Sequence, residues 1–319
     1  MTRDDVHREA TTPPLEMMTR LVIGDIELFS FVENRTLSDG GAMYGVIPKS
    51  LWSKSSTADE NNLVPMDTNL LLIKTRKLKI LVDCGLGDAL TDRQKKIYGC
   101  HSPSRLDECI ARLALVPEDI DIVIASHLHL DHIGGAFAGH PDDIKPRFPR
   151  ARHIIRDIEW NTAMNPDDRS MAAYPTEMLR RFEEFGLIEM IDSDIEAGPG
   201  VKLVLTGGHT RGHQVVEIES GEQKVIFCAD MIPVAGNLKP TYIAATDLFP
   251  LETLEYKKKL IEDAVRYNWI LALDHDTEYK FVTLKRENGK TVPVKQGEPF
   301  LVAMSSCSQN IRDSKKSTR

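Results

Sequence analysis

The sequence predicts an α+β fold in which two β-sheets pack face to face with helices outside them, within one domain. Three observations predict it. The chain falls into two β-rich halves, each decorated with helical segments. In each half, short apolar strands run directly into loops rich in His and Asp. Neither low-complexity segments nor short-period repeats interrupt the pattern. With 319 residues the chain is long enough for two domains of about 150 residues, yet one sandwich can absorb it all. A hydrophobic fraction of 41% and a charged fraction of 28% are ordinary for a globular protein with a buried core.

Residues 1–17 are polar, contain Pro13–Pro14 and read as a flexible arm. LVIGDIELFSFV (21–32) is β-branched and aromatic, as a strand is. NLLLIKT (69–75) and LKILVDCG (78–85) flank an Arg76–Lys77 turn and read as a hairpin. SRLDECIARLAL (104–115) has helical spacing behind Ser104, a candidate N-cap. DIVIAS (121–126) has the continuous apolar run of a strand buried on both faces. ARHIIR (151–156) is a strand, followed by helices over 157–164 and 176–186, the latter capped by Gly186. VKLVLTGG (201–208) is a strand and residues 214–230 form a hairpin. LETLEYKKKLIEDAVRY (251–267) is an amphipathic helix. WILALDH (269–275) is a strand, and 279–295 form a hairpin turning at Asn288–Gly289. Residues 305–319 are polar and basic and read as a tail, which leaves 18–304 as the folded domain.

A net charge of −8 gives no global attraction to nucleic acid or anionic membrane. No apolar run approaches the ~20 residues of a membrane span. The first residues carry acids where a secretory signal has a basic start and an apolar middle, so a cytoplasmic protein is expected. Five cysteines (Cys84, Cys100, Cys109, Cys228, Cys307) form no CxxC pair, and each is expected as a buried or inert thiol.

His127-Leu128-His129-Leu130-Asp131-His132 directly follows the 121–126 strand. Alternate residues of an extended segment face one way, so His127, His129 and Asp131 can converge while His132 reaches a second position. Imidazole and carboxylate suit zinc, iron, manganese or cobalt, with zinc the default. Gly-His-Thr-Arg-Gly-His (208–213) offers His213 as a ligand at a strand start and His209 to the hydrogen-bond network of its loop. Asp230 and His275 each end an apolar strand, with Asp274 and Asp276 beside His275. Six terminal ligands, His127, His129, His213, Asp131, His132 and His275, with Asp230 between them, match two divalent ions about 3.5–4 Å apart.

In this order the motifs resemble the metallo-β-lactamase fold superfamily. Within it, SDGGAMYGVIPKSLWSK (38–54), EWNTAMNPDDRSMAAY (159–174), TGGHTRGHQ (206–214) and DLFPLETLEYKK (247–258) resemble the YtnP-like quorum-quenching lactonases. These are related to N-acyl-homoserine lactonases and methyl parathion hydrolase. The resemblance covers about residues 20–300. It implies an αββα sandwich of two mixed sheets with a dimetal site at one edge. His127, His129 and His213 would hold one ion, and Asp131, His132 and His275 the other, with Asp230 bridging. Asp83 would support a ligand histidine from behind. The chain departs from the pattern at Cys84, where Thr or Ser is common, and at Asn237, where relatives often carry His. Relatives also place a carbonyl-polarising Tyr soon after the bridging Asp; here the next one is Tyr242.

The expected reaction is lactone opening, N-acyl-homoserine lactones first, by a hydroxide between the ions, with Asp131 delivering a proton to the leaving oxygen. Met43, Tyr44, Trp52, Trp160, Met164, Tyr242 and Phe249 are candidate walls for an apolar acyl chain. The Met43–Trp52 aromatics are equally candidates for a homodimer surface. A phosphotriesterase, or a thioesterase on the same site, is the alternative hydrolase. A non-catalytic metal-binding protein is the alternative of another class. His129 stands where the oxygen-reducing branch of the superfamily has Glu, which disfavours that branch.

Overall fold

The computed structural model describes residues 18–100 and 102–300. The expected arm over 1–17, the tail over 305–319 and Cys307 lie outside the described residues. The chain opens with strands β1 (Met18–Ile23), β2 (Ile26–Asp39), β3 (Leu63–Lys74), β4 (Lys79–Val82) and β5 (Ile122–Ile124). A two-stranded ribbon, β6 (Phe137–His140) and β7 (Asp143–Pro146), follows, then β8 (Arg152–Arg156) and β9 (Ile188–Ile191). The second half supplies β10 (Ile195–Gly198), β11 (Val201–Leu205), β12 (Gln214–Ser220) and β13 (Gln223–Phe227). Strands β14 (Ile270–Ala272), β15 (Phe281–Glu287), β16 (Lys290–Gln296) and β17 (Glu298–Pro299) complete it. The first sheet runs β17-β1-β2-β3-β4-β5-β8-β9 and the second β10-β11-β12-β13-β14-β15-β16. Both are mixed. Strands β4, β5, β8 and β9 pair in parallel, as do β13 and β14, and the other pairings are antiparallel.

The period-two alternation of the strands builds three apolar layers. Leu28, Leu71, Ile73, Ile122 and Ile124 of the first sheet meet Val216, Ile218, Val225 and Phe227 of the second in the central layer. The intervening residues Phe29, Phe31, Leu70, Leu72 and Val123 face outward onto helices α4 (Leu106–Arg112), α6 (Asp157–Met164) and α7 (Thr176–Glu183). On the far side, Ile226, Leu271 and Leu273 face α8 (Pro250–Tyr267) through Leu260, Ile261 and Ala264. The order helix, sheet, sheet, helix is the expected αββα sandwich.

Most strands expected from the sequence are present, with two corrections. The run 21–32 is two strands, because Gly24 at φ +51 turns the chain back between β1 and β2. The helix expected over 104–115 spans only Leu106–Arg112, with Ser104 accepting from the Leu106 amide at 3.3 Å. Helices α1 (Gly40–Tyr44), α2 (Lys49–Trp52), α3 (Asp92–Tyr98) and α5 (Leu130–Ile133, within the segment read as extended) were not foreseen. Each has only one turn or two, too short for a periodic signal. A bulge between Val32 and Asn34 leaves Glu33 outside the β2–β3 ladder. Its buried carboxylate accepts from the amides of Leu86 and Gly87, both at 3.1 Å, and fixes the loop after β4.

His153 in β8 is buried against Phe182, with ring centroids 4.9 Å apart. Burial pushes its pKa down from 6.5 to about 4, and Nε2 has no partner. Below pH 6.5 the unfolded chain takes up a proton that the folded chain resists until pH about 4. Stability therefore falls as pH drops through this window, by about 3 kcal/mol from this residue. Urea unfolding at pH 7 and pH 4.5 checks it: His153→Leu should lose less stability between the two than the parent chain does.

Candidate metal centre

Strand direction brings distant residues to one edge of the sandwich. Parallel β4 and β5 deliver Asp83 and the His127–His132 loop from their C-terminal ends. β12 is antiparallel to β13, so His213 before β12 lies beside Asp230 after β13. Parallel β14 adds Asp274 and His275. Two side chains lace the sheets together here. Gln214 donates from its backbone to Ser126 O at 2.9 Å and from its amide to Ala125 O at 2.8 Å. Asn69 donates to Leu273 O and Asp276 O at 3.1 and 2.8 Å. The backbone is held in the left-handed region beside the centre, at Asp83 (φ +58) and at Ala229 (φ +45) just before Asp230. Non-glycine residues adopt that region rarely and at some cost.

Five imidazoles have the outer nitrogen tied and the inner one turned to the centre. His132 Nδ1 donates to Asp83 at 2.8 Å, His275 Nδ1 to Asp67 O at 2.9 Å and His209 Nδ1 to Asp247 at 2.9 Å. Ser126 and Thr206 hydroxyls each donate elsewhere, to Asp83 and to the His213 carbonyl. They therefore accept from His127 Nδ1 at 3.1 Å and His213 Nδ1 at 2.6 Å. The Nε2 atoms of His127 and His213 are buried without a hydrogen-bond partner, and His129 faces His209 Nε2 with its Nδ1 at 3.1 Å. Orphaned lone pairs aimed into one space are what a metal ion requires.

Two overlapping groups have ligand atoms within 4.8 Å of one another: His127, His129, His209 and Asp230, and His132, Asp230, Asp274 and His275. Asp230 belongs to both. Its Oδ2 lies 3.7 Å from His127 Nε2, 3.8 Å from His132 Nε2 and 2.9 Å from His209 Nε2, and its Oδ1 lies 3.2 Å from His275 Nε2. Asp131 Oδ2 stands slightly farther out, 4.0 Å from His132 Nε2 and 3.9 Å from His275 Nε2. The His213 ring lies 5.4 Å from that of His127. Of the expected ligand set, His127, His129, His132, Asp230 and His275 fall in these groups, while Asp131 and His213 stand beside them outside both. The structure also sets His209, expected only in a loop network, against Asp230, and adds Asp274, which is buried beside His275.

Burial and neighbouring imidazoles push His127 and His129 well below the usual range, and burial takes His213 down to about 3. These are neutral, ligand-ready rings. Burial also opposes charge on His132, but Asp131, Asp230 and Asp83 outweigh it and raise its pKa to about 9. His209 and His275 are raised in the same way, against burial, by Asp230 and Asp247 and by Asp274 and Asp230. Against the burial that would raise it, His209 and His132 hold Asp230 well below the usual carboxylate range. The centre as a whole favours a cationic occupant.

Residues 63–271 match the family described as the metallo-beta-lactamase superfamily. The chain belongs to that superfamily. An N-acyl homoserine lactonase of Bacillus cereus is 28% identical over 205 residues, which covers 58% of this chain and 75% of the relative. A probable metal-dependent hydrolase from Staphylococcus aureus superposes with a TM-score of 0.81 at 29% identity, over 88% of this chain and all of the other. A dizinc quorum-quenching lactonase solved with a product bound superposes at 0.75 and 20% identity, over 90% of this chain and 99% of the other. The last of these bears on the fold alone.

Above the centre of this superfamily member lies a cavity of about 620 Å³. His129, Asp131, His209, Asp230 and His275 border it, and Leu37, Met43, Leu63, Met66, Ile97 and Leu248 give it apolar walls. Of the expected wall residues only Met43 lines it. Tyr44, Trp52 and Tyr242 are buried together, with Tyr44 stacked on Trp52 at 5.0 Å, so they offer neither a pocket wall nor a homodimer surface. Trp160 and Met164 belong to the layer under α6 and α7, and Phe249 carries Arg211 over its ring at 4.5 Å. Aromatic residues close to a motif in sequence are as well suited to the core as to a cavity, and here the core takes them. Tyr98 and Arg169, which sequence reasoning missed, do line the cavity. Among the described residues no helix is long and apolar enough to cross a membrane.

Zinc-loaded protein should carry about two ions per chain by elemental analysis, and chelation should lower its melting temperature. Asp230→Ala should retain one ion at most. Two retained ions would show that Asp230 is not shared.

Proposed function

We propose that the chain is a dimetal hydrolase that opens lactone rings on small molecules with an apolar tail, N-acyl-homoserine lactones foremost. One observation carries this reading: two His/Asp groups share Asp230 at the floor of an apolar-walled cavity. The lactonase names of relatives support the substrate class. The catalytic unit is read as residues 18–304.

His127, His129 and His213 are assigned to one ion, Asp131, His132 and His275 to the other, and Asp230 to both. Divalent ions bound there supply Lewis acidity for a carbonyl and lower the pKa of water to near neutrality. The chain's residues do the rest. Asp83, Ser126, Thr206 and the Asp67 carbonyl hold the imidazole lone pairs inward. Asp131, bordering the cavity, is assigned to take a proton from the attacking water and pass it to the leaving oxygen. Tyr98 lines the cavity from the end of α3. Burial together with Asp131 and Asp230 raises its pKa well above 10, so the phenol stays protonated. It is our candidate for the hydroxyl that steadies the developing oxyanion, the role for which the sequence offers no Tyr between Asp230 and Tyr242.

Metal-loaded protein, with a chelated control, is assayed on short- and long-chain acyl-homoserine lactones, a paraoxon-type triester, a thioester and a β-lactam. Chelator-sensitive turnover is expected to favour the lactones. Preference for the triester or the thioester would overturn the substrate assignment, and no turnover by a fully metallated sample would overturn the enzyme assignment. Tyr98→Phe should lower kcat on the preferred lactone by about 10²-fold with metal content unchanged. An unaltered kcat would remove Tyr98 from the mechanism.

A further inference from the structure

The carboxylate of Glu159 in α6 is buried beneath the two histidine loops, outside both metal-capable groups. It is surrounded entirely by donors. Oε1 accepts from the Leu128 amide at 3.0 Å and the Tyr174 hydroxyl at 3.2 Å. Oε2 accepts from the Thr210 hydroxyl at 2.7 Å and the Gly212 amide at 3.1 Å. Leu128 lies between His127 and His129, while Thr210 and Gly212 lie between His209 and His213. The ring of Tyr174 meets that of His129 edge-on at 4.8 Å. One side chain therefore grips both loops and the aromatic ring beside His129. Gly212 makes the grip close: a Cβ there would stand 2.6 Å from the Glu159 nitrogen.

An ionised carboxylate accepts about four hydrogen bonds, and this one has all of them filled from within the chain. With its acceptor sites filled it has none left to bind an ion. Its connections run to the backbone that spaces the histidines. We propose that Glu159 is a positioning residue of the metal centre, a brace that fixes the distance between the 127–129 and 209–213 loops and thereby sets metal affinity. The proposal rests on the reading of the centre as a metal site. Two of the four donors, the Leu128 and Gly212 amides, sit on different oxygens and cannot reverse direction. Glu159→Gln keeps the shape but must turn its NH₂ against one of those N–H groups and push one loop away.

The test compares Glu159→Gln, Tyr174→Phe and Thr210→Val with the parent chain. Zinc affinity is read by chelator competition, the visible absorption of the cobalt-substituted protein reports ligand geometry, and urea unfolding of metal-free protein reports the fold. Glu159→Gln should lose zinc affinity by about 10–100-fold and shift the cobalt bands, as loss of a ligand's supporting partner does. The other two variants should lose less. Unchanged affinity and cobalt bands in Glu159→Gln, whether or not its unfolding midpoint falls, would overturn the proposal and leave Glu159 as a core contact. If that variant fails to fold, unchanged affinity in both Tyr174→Phe and Thr210→Val overturns it equally. A parent chain that binds no zinc would instead defeat the reading of the centre itself.

Discussion

A buried imidazole has two nitrogens to satisfy, and fixing the outer one decides what the inner one can do. Around this centre the outer nitrogens go to a carboxylate after β4, a carbonyl of β3, a hydroxyl after β5, a hydroxyl after β11 and a carboxylate before α8. These partners come from both sheets, so the sheets must meet in one register for the ring orientations to hold. The sandwich is the scaffold that this requirement calls for. Strained backbone at Asp83 is tolerated because hydrogen bonds from Ser126 and His132 over-determine its position.

Buried acids complete the frame. Glu33 holds the loop after β4 and Glu159 the two histidine loops, each with donors drawn from elements far apart in sequence. Such groups would be costly to bury alone; fully bonded, they give irregular loops the definition that ladders give strands.

Much of this was legible in the sequence, for physical reasons. Apolar runs such as DIVIAS and ILAL have the composition of strands buried on both faces, and alternate residues of each pack into the central layer and an outer one. HLHLDH was legible because four metal-capable groups in six positions have no cheap alternative in a folded chain. What escaped notice depends on partners rather than on pattern. Glu159 reads as an ordinary helix acid until the two loops close over it, and Tyr98 as a residue at the end of a short exposed helix. Tyr44, Trp52 and Trp160 show the converse. Their size and apolar surface suit a cavity wall, but the same properties draw them into cores, Tyr44 and Trp52 stacked on each other and Trp160 in the layer under α6 and α7. The two stretches that carried the resemblance to lactonases over 159–174 and 206–214 turn out to be the ones joined through Glu159, Tyr174 and Thr210.

The lacing of the two sheets through Asp67, Asn69, Ser126 and Gln214 also orders events in time. Asp67 meets His275 across 208 positions of chain, and Asn69 meets Asp276 across 207. During synthesis the first sheet's histidines emerge long before the residues that aim and complete them. The nascent chain therefore carries a run of imidazoles without a finished centre until β14 has docked. Closure of this edge is a late step in which the two halves, and any ion between them, are secured together.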